Sequence, residues 1–140
     1  MKSPRRARAR RLFVTLFESI MAIALLIAPL FANAATAPPA ARIGCARAGG
    51  DGAYDCTIRL AAPGGAPLRD ARFTVSADMP SMPMAHNVTP VAAVPGADPG
   101  VYRARLALEM PGVWLVRLDF STPAGLTIAR KLSFDDAGAH

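Results

Sequence analysis

The chain has 140 residues, which is enough for one small domain beyond a leader segment, and its formal net charge is +6. Six of the sixteen Lys and Arg residues and one of the ten acidic residues lie within residues 1–34. The remaining segment carries ten basic and nine acidic residues, a net charge of about +1, which excludes the strongly basic composition typical of nucleic-acid-binding proteins.

Residues 1–34 have the three parts of a secretory signal peptide. A basic start is followed by an apolar segment from Ile20 to Phe31 and by the small-x-small triplet Ala32-Asn33-Ala34. We expect cleavage after Ala34, which would release the rest of the chain into the periplasm or the exterior.

Two other interpretations of residues 1–34 are consistent with the sequence. The segment Leu12 to Phe31 is long enough to cross a bilayer and would tether the domain to the inner membrane if it stayed uncut, although the charge of Glu18 opposes insertion. The run Arg10-Arg11-Leu12-Phe13-Val14 also resembles a twin-arginine export signal, which would imply export after folding.

Beyond the leader, residues 35–41 (ATAPPAA) have the composition of a linker with little to bury. Residues 42–134 then form the predicted domain, and residues 135–140 form a C-terminal tail that we expect to be frayed.

The first predicted hairpin contains both cysteines of the chain. The stretch RIGCARAGGDGAYDCTIRL has a glycine-rich turn, and a tight two-residue loop at Gly50-Asp51 would place Cys45 directly opposite Cys56. In an exported protein such a pair favours a structural disulfide, which would stabilise the fold by about 2–3 kcal/mol. A Cys-x-x-Cys redox spacing is absent from the sequence.

Short alternating segments separated by Gly and Pro predict an all-β domain, an immunoglobulin-like β-sandwich of about seven strands. Asp98-Pro99-Gly100-Val101-Tyr102 has the pattern of a tyrosine corner, and Trp114 is a candidate core residue. The predicted strands cover residues 42–48, 53–60, 71–77, 88–94, 101–108, 113–120 and 125–134.

Motifs of hydrolytic enzymes are absent from the sequence beyond the leader. It contains no Gly-x-Ser-x-Gly elbow and no His-Glu-x-x-His motif, and its two histidines are His86 and His140. We therefore expect a protein that is not an enzyme.

The stretch DMPSMPMAHN, residues 78–87, predicts a site for a soft metal ion. Pro80 and Pro83 favour an extended backbone, in which Met82, Met84 and His86 project to one side. Thioether sulfur and imidazole nitrogen are ligands that suit Cu(I), whereas Ca²⁺ and Mg²⁺ prefer carboxylates and Zn²⁺ prefers thiolates or several histidines.

Two more methionines are candidate ligands in this interpretation. Met79 would join if the chain turned at Pro80, and Met110 lies in another turn at an end of the predicted sandwich. The alternative is that these methionines plug an open end of the sandwich by packing, which is a common role of methionine.

Four sequence stretches carry a resemblance to a known family. They are Gly65–Ala71 (GAPLRDA), Met79–His86 (MPSMPMAH), Pro99–Tyr102 (PGVY) and Met110–Trp114 (MPGVW). Over about residues 52–134 the chain resembles the YtkA-like domain family, which is related to FixH-type proteins.

The resemblance implies a small exported or membrane-anchored immunoglobulin-like domain. Members of the family occur alone or beside heavy-metal efflux and cytochrome-oxidase assembly components, which implies a role in copper handling. The implied partner is a membrane-bound copper transporter or an oxidase assembly protein. The matching positions Met79, Met82, Met84, His86 and Met110 would carry that role. The pair Cys45 and Cys56 is not part of the family pattern.

Overall fold

The computed structural model describes residues 37–83 and 87–140, and within these ranges it contains β-strands and no helix. The strands are β1 (Ala40–Arg47), β2 (Ala53–Ala61), β3 (Arg72–Asp78), β4 (Asn87–Ala92), β5 (Val94–Pro95), β6 (Val101–Ala107), β7 (Gly112–Thr122) and β8 (Thr127–Phe134).

The eight strands form two antiparallel sheets that pack as a sandwich. Sheet 1 has the order β1-β2-β6-β5, and sheet 2 has the order β4-β3-β7-β8. The predicted all-β sandwich is therefore confirmed.

The additional strand arises at Ala93, where the chain leaves one sheet for the other. The Ala93 amide donates to the carbonyl of Phe73 in sheet 2, at 3.0 Å, while Val94 already pairs with Arg103 in sheet 1. The single predicted strand 88–94 is therefore wrong in this detail, because its hydrophobic pattern continues across a step between sheets.

The core lies between the inner faces of the two sheets, where strand residues of one parity are buried. Trp114 is 1% exposed, which confirms its predicted place in the core. The largest fully buried side chains besides Trp114 are Tyr54, Phe134, Ile58, Leu106, Leu108, Leu118, Val75 and Val116.

The tyrosine corner is also confirmed. The Tyr102 hydroxyl donates to the carbonyl of Leu68 at 2.9 Å and accepts from the amide of Ala71 at 3.0 Å. Both partners lie upstream of β3, so this side chain in sheet 1 fixes the loop that leads into sheet 2.

The predicted disulfide is present, and its register is the predicted one. Cys45 faces Cys56 across β1 and β2 with Cα atoms 4.0 Å apart. The loop is longer than predicted, because the amide of Ala48 donates to the carbonyl of Ala53 and leaves four residues, Gly49 to Gly52, in the turn. Since pairs alternate along an antiparallel ladder, Cys45 and Cys56 form a pair without backbone hydrogen bonds to each other.

The C-terminal tail is paired with the sheets, so the prediction of a frayed terminus is wrong. The amide of Ala139 donates to the carbonyl of Cys45 at 2.9 Å, and Ser133 exchanges two backbone hydrogen bonds with His140. At the other boundary, β1 begins at Ala40 and includes the last two residues of the predicted linker.

The predicted signal peptide or anchor falls on residues 1–34, which lie outside the described residues. In the described part of the chain, no helix has the length and apolar character that crossing a bilayer requires.

Candidate metal centre

The segment after β3 forms a turn instead of the extended run that the sequence predicts. The amide of Met82 donates to the carbonyl of Met79 at 3.0 Å, which closes a four-residue turn with Pro80 at its second position. Proline is common at the second position of a turn because its fixed φ angle matches the φ angle that the turn requires there. The extended backbone predicted for this segment is therefore wrong at residues 79–82.

This turn separates two of the predicted ligands. Met79 is 4% exposed and belongs to the hydrophobic core, whereas Met82 is 38% exposed. A turn places consecutive side chains in different directions, so the buried Met79 has a packing role and the exposed Met82 is accessible to a ligand from solvent.

The turn between β6 and β7 lies against the same end of the sandwich. An added Cβ atom at Gly112 would lie 3.3 Å from the methyl carbon of Met79, so the Met79 side chain reaches the start of β7. Met110, two residues before Gly112, is half-buried and packs against the core. Met79, Met82 and Met110 therefore share one end of the sandwich, as the sequence suggested for Met110.

The Met110 turn is fixed by the single tryptophan. The indole Nε1–H of Trp114 donates to the carbonyl of Met110 at 3.2 Å. Because Trp114 is part of the core, this bond holds the backbone of the Met110 turn in a defined position.

Met84 and His86, the other two predicted ligands, lie outside the described residues. Their direct neighbours in the sequence are described: Pro83 is exposed, and Asn87 begins β4 opposite Asp78. The described residues on either side of this stretch thus lie at the end of the sandwich where Met82 lies.

The carboxylate that directly precedes Met79 belongs to another contact. This residue, Asp78, lies 3.7 Å from the guanidinium of Arg117. Across residues 37–83 and 87–140, no three side chains of His, Cys, Asp or Glu are close enough together to hold a metal ion. Both cysteines are buried in the disulfide.

The described methionines at this end carry thioether sulfur as a donor. Met82 is exposed, Met110 is half-buried and Met79 is buried in the core. Thioethers bind Cu(I) and bind hard cations poorly. Met82 and Met110 would hold such an ion together with the predicted ligands Met84 and His86.

Sequence reasoning missed a cluster of arginines on the outer face of sheet 1. Arg42 lies opposite Arg59 on neighbouring strands, and Arg103 and Arg105 continue the same face on β6. The near-neutral net charge concealed this cluster. Two features of the sequence predict the cluster when they are combined. They are the alternating positions of the four arginines along their strands and the hairpin register that the cysteines indicated.

Comparison with known proteins gives one match. A family model described as YtkA-like matches residues 47–119, which extend from the end of β1 to β7 and include both methionine turns. No curated protein and no solved structure matches the chain. Because the family model covers more than half of the sequence, this chain belongs to the YtkA-like family.

Proposed function

We propose that this protein is an exported carrier or accessory for copper, which binds Cu(I) or a similar soft ion at the methionine-rich end of the sandwich. The observation that supports the proposal best is the exposure of Met82 at the end that also carries Met110 and Met79. An exposed thioether beside further methionines offers ligands to an ion that arrives from solvent.

In this function the ion is cargo. Met82, Met84 and His86 would be its main ligands, and Met110 would add a further sulfur. Met79 would support the turn from the core, because its side chain already fills space against Gly112. A membrane-bound copper transporter or an oxidase assembly protein would supply or receive the ion, and residues 12–31 would keep the protein near that membrane if they remain uncut.

Titration of the full chain with Cu(I), in competition with a chromophoric Cu(I) chelator, tests the proposal. We expect Met82→Leu, Met84→Leu and His86→Ala each to weaken Cu(I) binding at least tenfold, because each removes one ligand atom. Leucine is close to methionine in volume, so these substitutions remove the sulfur with little change in side-chain size.

His140→Ala is the matched control for His86→Ala. His140 is the other histidine of the chain, and its imidazole lies 3.7 Å from the carboxylate of Asp135, on the tail that pairs with β1 and β8. We expect His140→Ala to leave Cu(I) affinity unchanged. Submicromolar Cu(I) affinity that survives all three ligand variants would refute the site, and an unmeasurable affinity in the parent protein would refute the function.

A second candidate function is supported by the apolar character of the same end. Val113, which follows Gly112, is 47% exposed, so Met82 and Val113 together present apolar surface to solvent. Such surface is typical of a module that contacts a membrane protein without any metal, with methionine as an adaptable contact.

Two substitutions at one position distinguish these functions. Met82→Leu removes the sulfur and keeps an apolar side chain, whereas Met82→Glu removes both. The copper proposal expects both variants to weaken Cu(I) binding. If the protein is an interaction module, Met82→Leu should still capture the partner in pull-down experiments. Met82→Glu and Val113→Glu should not capture it.

A further inference from the structure

The outer edge of β6 is only partly covered by its neighbour. Strand β5 pairs Val94 with Arg103 and Pro95 with Tyr102, and the chain lies in sheet 2 at Ala93. Within the part of the chain that the structure describes, no strand pairs with β6 on this side beyond Arg103. Residues 104–107 therefore form an open strand edge next to the step between the sheets.

The hydrogen-bond pattern shows which backbone groups this edge presents. At the two ends of β6, Leu60 donates to the carbonyl of Gly100, and Leu108 donates to the carbonyl of Gly52. Since hydrogen-bonded pairs alternate along an antiparallel ladder, even-numbered residues of β6 direct their backbone groups toward β2. Arg105 and Ala107 consequently direct their N–H and C=O groups outward, where no described strand receives them.

A groove adjoins this strand. It has a volume of about 700 Å³ and is lined by Val91, Ala92 and Val94 of the β4–β5 segment, by Arg103, Ala104 and Arg105 of β6, and by Ala46, Asp55, Cys56 and Thr57 of β1 and β2. Residues 104–107 extend over about 13 Å at the usual rise of a strand, which is enough to pair with about four residues.

Two arginines and one aspartate line the groove, and two further arginines, Arg42 and Arg59, lie on the same face of sheet 1. Arg103, Arg42 and Arg59 have no ion-pair partner among residues 37–83 and 87–140. Arg105 lies 3.9 Å from Asp55, which is the only acidic residue in the strands of sheet 1. The Arg105 guanidinium also donates to the carbonyl of Ala48 at 3.2 Å. An added strand would therefore meet Arg103 as the unpaired charge, together with Val91 and Val94 of the groove lining.

We propose that the open edge of β6 binds an extended acidic segment of a partner protein as an added strand. Backbone groups of the segment would pair with Arg105 and Ala107, its acidic side chains would face Arg103 and Arg105, and its alternate apolar side chains would contact Val91. A second copy of this chain is a poor occupant, since antiparallel pairing of two β6 edges centred on Arg105 would place arginine opposite arginine.

Calorimetry with the full chain and a synthetic peptide tests this proposal. The peptide has seven residues that alternate valine and glutamate, with blocked termini, and its control has lysine at the glutamate positions. We expect the glutamate peptide to bind at least tenfold more tightly than the lysine peptide, with an affinity that falls as salt is added. Because the proposal does not depend on metal binding, the affinity should be the same with and without Cu(I).

Two variants address the backbone and the charge separately. Ala107→Pro removes an N–H group that points away from β2, so the hydrogen bonds between β6 and β2 are retained. We expect peptide affinity to fall at least fivefold in this variant. Ala107→Val, which keeps the N–H group, is its control. Arg103→Glu should weaken binding at least tenfold, whereas Lys131→Glu makes the same charge change on β8 in sheet 2 and should have no effect.

Amide hydrogen exchange of the unaltered protein gives a readout that does not depend on any variant. We expect the amides of Arg105 and Ala107 to exchange at least tenfold more slowly with the glutamate peptide bound. The proposal is overturned if neither peptide binds at millimolar concentration, if both peptides bind equally, or if the two amides are unaffected. Binding of phosphatidylglycerol vesicles that Arg103→Glu abolishes, without peptide binding, would assign this face to an anionic membrane instead.

Discussion

At the scale of single residues, the hydroxyl of Tyr102 joins sheet 1 to the loop before β3. It is buried and uses both of its hydrogen-bonding functions, as a donor to Leu68 and an acceptor from Ala71. Tyr102→Phe would leave the Ala71 amide without its partner. We expect the free energy of unfolding to fall by about 1–3 kcal/mol in urea denaturation followed by circular dichroism.

Tyr54→Phe is the matched control for this prediction. The Tyr54 hydroxyl donates to the carbonyl of Asp135 at 2.9 Å and has no second partner among the described residues. After its removal the Asp135 carbonyl still accepts from the amide of Gly138 at 3.3 Å, so we expect a smaller loss, about 0.5–1.5 kcal/mol. Equal losses in the two variants would contradict the importance of the tyrosine corner.

Two glycines with nearly the same backbone conformation differ in their surroundings. Gly100 has φ +73° and Gly125 has φ +78°, so alanine is strained at both positions. An added Cβ at Gly100 would lie 2.7 Å from the carbonyl oxygen of Leu60, whereas at Gly125 it would meet nothing within 4 Å.

We expect Gly125→Ala to lower the free energy of unfolding by about 1 kcal/mol, from backbone strain alone. Gly100→Ala should lower it by about 3 kcal/mol, because the clash is with backbone that cannot rotate away. The comparison by urea denaturation isolates the clash, and a difference below about 0.5 kcal/mol would show that the chain near Leu60 moves to accommodate the methyl group.

At the predicted site, the sequence prediction and the structure differ in the conformation of one segment. Met82, Met110 and Met79 share one end because the end of β3 lies beside the start of β7 in sheet 2. Met79 and Met82 point differently because Met-Pro-Ser-Met has proline at the second position of a turn, and this local signal was outweighed by the expectation that prolines extend the chain.

At the scale of elements, the first hairpin is held by a disulfide between facing residues of β1 and β2. The two cysteines are separated by 11 positions in the sequence. The double variant Cys45→Ala and Cys56→Ala should lower the free energy of unfolding by about 2–3 kcal/mol, because the unfolded chain gains conformational freedom. Thermal unfolding with and without a thiol reductant checks this, since reductant should shift the midpoint of the parent protein and leave that of the double variant unchanged.

The strands were predicted well where one face is buried and less well where the chain changes sheets. Alternation fixed β3, β6 and β7 to within two residues, since each buries its large apolar side chains on one parity. The step at Ala93 was missed because Val91 and Val94 read as one hydrophobic strand, although they serve different sheets. Sequence alternation reports burial and carries no information about which sheet a residue joins.

At the scale of the whole molecule, the sandwich has central strands that are paired on both sides and edge strands that are not. We expect amide exchange in β2, β3 and β7 to be at least a hundredfold slower than in β4 and β5, because the central strands contain the most completely buried residues, such as Ile58, Val75 and Val116. Exchange measured by NMR checks the order. Equal protection of β4 and β7 would contradict it.

The single tryptophan of this chain has a practical consequence for the study of the methionine-rich end. Trp114 is buried, and its indole N–H donates a hydrogen bond to the Met110 carbonyl. Its fluorescence is therefore a label-free probe built into the molecule, and the intensity and wavelength of its emission should respond when an ion or a ligand displaces that carbonyl.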